Sequence, residues 1–188
     1  MIDGEVYVLE AVRDTIRAKL GLSQSECECE FDEQIPAIAG DRYVAIIPAG
    51  CDPGPKHNTS SGVHDSLHGV QVLVLNRATS VPRDRRRSIF LERLGGINRL
   101  LSDIVKVLDW QLDLLSLTNH LLAVDYPNAD HFIEPLRLAR IDTKPKMINS
   151  DTFAAGPNGY VAMGRSAWFG RCRRIQNIKQ TPAIIRAT

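Results

Sequence analysis

A chain of 188 residues, 44% hydrophobic and 24% charged, is long enough to bury a real core and has the make-up of a globular domain. A formal net charge of +1 gives no global positive field to draw in phosphate, which argues against a dedicated nucleic-acid binder but leaves room for a local basic patch. No stretch approaches the roughly 20 apolar residues of a membrane span. The acidic start Met1-Ile2-Asp3-Gly4-Glu5 has no basic leader region, and four cysteines are sparse for a disulfide scaffold, so a reducing compartment and no membrane are expected.

Val8, Val12, Ile16 and Leu20 recur at helical spacing, with Asp3 near the start and Gly21 just past the end. They predict a helix from about Glu5 to Leu20, closed by a glycine able to turn left-handed. Ser23 to Glu33 is polar and acidic, but Cys27, Cys29 and Phe31 alternate within it and suggest a short strand. Pro36 marks Ile35–Ile38 as an edge or a lead-in, because proline cannot donate to a ladder. Arg42–Ile47 reads as a second strand. Pro48–Gly62, rich in proline, glycine and hydroxyls, reads as a loop of about 15 residues, long for a connection inside a compact domain.

Val70, Val72 and Val74 alternate with Gln71, Leu73 and Leu75, so Gly69–Leu75 is predicted as a strand apolar on both faces and well buried. If it pairs with Arg42–Ile47, the two form a hairpin with an extended tip. A long helix is predicted from Pro82, with Phe90, Leu94, Ile97, Leu101, Ile104 and Leu108 on one face. Gly95-Gly96 falls inside it and predicts a kink or a close approach. Trp110–Val124 is leucine-rich and reads either as a continuation or as a second helix. After a turn at Asp125–Asp130, Leu136–Ile141 reads as a strand, Asp142–Pro145 as a tight turn and Lys146–Asn149 as a returning segment. Ala155–Gly159 is a strong turn signal. Tyr160–Ile175 alternates as one long strand, with Ala162, Gly164, Ser166 and Trp168 on one side and Met163, Arg165, Ala167 and Phe169 on the other. A bulge is expected at Gly164 or Gly170.

This order predicts an α+β fold: a single antiparallel or mixed sheet with a long hairpin, packed by an N-terminal helix and a long central helix. One domain is expected over residues 1–175, with a tail over 176–188.

Candidate chemistry is thin. His57, His64 and His68 are the obvious metal ligands, but they lie at the end of a glycine-rich loop without a third ligand at a recognisable spacing, so no metal is expected. Cys27 and Cys29 lack the two-residue spacer of redox and zinc pairs and read as small buried hydrophobes. No nucleophile elbow, P-loop or dinucleotide fingerprint is present, so neither an enzyme nor a cofactor is expected. Two basic clusters stand out. Arg83, Arg85, Arg86 and Arg87 sit at the predicted start of the long helix, where the dipole prefers negative charge, with Asp84 as a local partner. Arg165, Arg171, Arg173 and Arg174 interleave with Trp168 and Phe169, a mixture suited to a protein interface or to gripping single-stranded nucleic acid.

Phe31–Ile38, Gly69–Leu75, the Val81-Pro82 entry into the helix and Tyr160–Phe169 together resemble the tail terminator proteins of long-tailed bacteriophages. That resemblance implies an N-terminal helix, a sheet with a long hairpin, a helix across the sheet and closing strands. It also implies a homo-oligomeric ring, commonly a hexamer, that caps the tail tube in the virion and joins it to neck proteins after assembly in the host cytoplasm. Residues 125–150 would then be an insertion. Pro48, Cys51, Pro53, Pro55, His57 and Asn58 would belong to an assembly loop, and Arg83–Arg87 would line a lumen enclosing DNA. Three other readings stand beside it: another neck or tail-tube component, a nucleic-acid-binding module using the arginines and Trp168, and a metal hydrolase using the three histidines.

Overall fold

A computed structural model describes residues 4–30, 42–53, 63–79, 96–109, 129–142, 146–149 and 159–176. In chain order these form α1 (Gly4–Leu20), β1 (Cys27–Cys29), β2 (Arg42–Pro53), β3 (Val63–Thr79), α2 (Ile97–Leu108), β4 (Ala129–Ile133), β5 (Arg137–Ile141), β6 (Lys146–Asn149) and β7 (Gly159–Gln176). This is an α+β fold with one mixed sheet. β1 pairs parallel with β2, and every other pairing is antiparallel.

The spine is the β3–β7 ladder, in which Val63 opposes Ile175 and Thr79 opposes Gly159 without a slip in between. β2 flanks β3, with Arg42 opposite Asn76 and Pro53 opposite Ser66, so the expected hairpin forms. Its strands run further than expected. Pro48–Pro53 was read as loop, yet it lies in β2, with a register shift between Pro48 and Cys51 where Gly50 takes φ +99°. β1 covers only Val44–Ile46, so among the described residues one side of β2 has no strand partner beyond Ile47. Prolines are tolerated on such an edge because no ladder bond is lost.

The far side of β7 is lined in succession by β4, β5 and β6, which pair with its C-terminal end, its middle and its N-terminal end. Residues 129–149 therefore run along one edge as an interrupted strand. β7 itself carries no bulge at Gly164 or Gly170; the shift lies in β5, between Leu138 and Arg140.

Both helices pack on one face of this sheet. α1 contributes Val8, Leu9, Val12 and Ile16, and α2 contributes Ile97, Leu101, Ile104 and Leu108. The strands answer with Val44, Ile46, Val70, Val72, Val74 and Trp168. α1 ends as expected: Gly21 has φ +65°, and the Leu22 amide donates to the Arg17 carbonyl at 3.1 Å. α2 corrects the predicted long helix. Gly96 is extended (φ −68°, ψ 151°) and caps the helix, so no continuous helix runs from Pro82 through it. The Pro82 start itself lies outside the described residues, as do Trp110–Val124. Tyr43, Ala45, Leu73 and Leu75 are buried on the opposite face, as a strand apolar on both sides requires.

Candidate assembly surface

β7 sorts its side chains by parity. Cross-strand partners share a face, so Gly164, Ser166 and Trp168, opposite Val74, Val72 and Val70, lie under the helices. Arg165, Ala167, Phe169 and Arg171, opposite Leu73, Gln71, Gly69 and Leu67, lie on the other side. The basic–aromatic cluster read from the sequence is thereby split. Trp168 is 2% exposed, and its indole N–H donates to Ser166 Oγ at 2.9 Å, so it offers no surface for a partner. Phe169 is 36% exposed. Leu67, its diagonal neighbour across β3, matches it at 36%, and these two are the exposed large hydrophobics among the described residues.

Arginines flank this pair on the β7 and β5 side. Arg165 and Arg171 are half-buried on β7, and Arg171 Nη1 lies 3.9 Å from Glu134 Oε1, a loose and solvated pair of little energetic weight. β5 adds Arg137 opposite Phe169 and Arg140 opposite Ala167, both exposed. An unbroken strand would send residues three apart to opposite faces, and the extra residue Ala139 brings both arginines to the same one. Leu138 and Ile141 confirm the shift from the helix side, since both oppose helix-face residues, Trp168 and Ser166. Arg137 and Arg140 were missed in the sequence. The signal was present: in Leu136-Arg137-Leu138-Ala139-Arg140-Ile141 the alternation slips by one at Ala139.

The other sequence candidates fall as follows. Register places Arg173 opposite Asp65 and Arg174 opposite His64, and their side chains lie outside the description. Pro48 is half-buried in β2. Cys51 and Pro53 hold β2 positions opposite His68 and Ser66, whereas Pro55, His57, Asn58 and Arg83–Arg87 lie outside the described residues.

His68 is not in a loop but in β3. It is 1% exposed, with Nε2 2.8 Å from Ser66 Oγ and no hydrogen-bond partner for Nδ1. Among the described residues no group of three metal-ligating side chains converges. Burial holds the His68 imidazole below its usual pKa. The folded state therefore binds fewer protons than the unfolded one. The stabilising contribution is whole above the unfolded value of about 6.5 and is lost as pH falls below it. Unfolding free energies measured from pH 8 down to pH 5 should fall in the native protein, and a Ser66→Ala/His68→Leu double variant should lose that component of the slope.

At the opposite edge, charge is already paired. Arg17 donates to Glu28 at 2.8 Å, Arg13 reaches Glu28 at 3.2 Å, and Arg42 donates to Glu26 at 2.9 Å. Amide and hydroxyl donation from Ser23, together with Arg42, lowers the Glu26 carboxyl to about 2. Tyr43 donates its hydroxyl to Glu30. Burial raises the Cys27 thiol to about 12 and the Cys29 thiol to about 11, which suits packing and leaves little reactive thiolate. An open groove of about 310 Å³ runs between α2 and β5, lined by Asn98, Leu101, Ser102, Val105, Ile141 and Asp142. Set against known proteins, the chain matches no family model and no curated sequence.

Proposed function

We propose that this chain is a structural protein of a bacteriophage virion: a tail terminator whose copies form a ring that closes the tail tube and joins it to the neck. The observation that carries this reading is the Leu67–Phe169 pair, presented on the sheet face away from the helices and flanked by arginines on the β7 and β5 side. Phenylalanine and arginine are enriched at protein interfaces. An exposed apolar pair beside a row of arginines is the surface of a chain that works through contacts with other chains. The α+β order, with its hairpin and long closing strand, is the architecture that the resemblance in Phe31–Ile38, Gly69–Leu75 and Tyr160–Phe169 implies. Ring neighbours would meet through two different surfaces, closed by rotation.

Solution mass tests the reading. A hexamer of the 20.9 kDa chain would sediment at about 125 kDa and show a central opening by electron microscopy. Tail tubes polymerised with the protein present should have capped ends. A monomer at high concentration that leaves tubes uncapped would overturn the proposal.

A further inference from the structure

We draw no further inference here: the strongest candidate, the open groove between α2 and β5 lined by Leu101, Val105 and Ile141 with Asn98, Ser102 and Asp142, carries nothing because nothing in the structure shows what covers it.

Discussion

Replacing Gly164 with valine should prevent α2 from seating on the sheet and leave the protein largely unfolded. Gly164 lies in β7 opposite Val74, on the face that α2 covers. A Cβ atom placed there would come within 2.6 Å of Leu101 Cδ1 and closer still to Ile97 Cγ2. Both neighbours are core residues, 3% and 1% exposed, and Ile97 is the first residue of its helix, directly after the extended Gly96. Leu101 can yield toward the groove it lines, but Ile97 is almost fully buried and stiff at its branched Cβ, so making room for more than a methyl group requires the helix itself to lift. Overpacking a filled core costs about 1–3 kcal/mol for one added methyl, and valine adds two more carbons. For a chain of this size each kcal/mol lowers the melting temperature by about 2–4 °C, so Gly164→Ala should melt several degrees below the native protein and Gly164→Val further still. Removing the obstacle supplies the control. Gly164→Ala combined with Leu101→Ala should be less destabilised than the two single changes added together, because the alanine methyl occupies part of the space that the leucine leaves. An unchanged melting temperature for Gly164→Ala would mean that α2 does not lie against β7 as described.

The parts of this fold that were legible in the sequence are those fixed by local periodicity. Val70, Val72 and Val74 against Leu73 and Leu75 announced a strand buried on both faces. Ile97, Leu101, Ile104 and Leu108 marked the packed face of α2, and Gly21 marked the end of α1. What local pattern could not give was long-range register. Nothing near residues 129–149 says that three short strands will line up along β7, because that depends on a partner lying later in the chain. Irregularities were hard to place for a related reason. Gly96 was expected to bend a helix and instead begins one, since an unfavourable helical residue serves equally well as an extended cap. Glycines in β7 were expected to bulge and do not. Gly164 makes room for Ile97 and Leu101, and beside Gly170 a Cβ would lie 2.9 Å from Leu136 Cδ2. The assembly surface was half legible. Alternation separated Trp168 from Phe169, but which of them faced solvent depended on which side the helices took. Arg137 and Arg140 became neighbours only through the slip at Ala139.

Trp168→Ala should be the costliest single truncation on β7, at about 3–5 kcal/mol, a large share of the roughly 5–15 kcal/mol that holds a domain together. Trp168 heads the fully buried side chains by volume and belongs to the same core as Val70, Leu136 and Leu138. The indole has two parts, and variants can separate them. Trp168→Phe keeps most of the ring but removes the N–H that Ser166 Oγ accepts, leaving a hydroxyl on a residue with no exposed surface to find another donor; it should cost about 1–3 kcal/mol beyond the lost volume. Adding Ser166→Ala to Trp168→Phe should then restore part of that loss, because both halves of the buried polar pair are gone. Denaturant titration gives these values directly. Fluorescence reports the burial independently: with Trp110 changed to phenylalanine, the emission of Trp168 should be blue-shifted in the folded protein and move red on unfolding. A Trp168→Ala variant losing less than about 1 kcal/mol, with red emission in the native state, would put the indole in water.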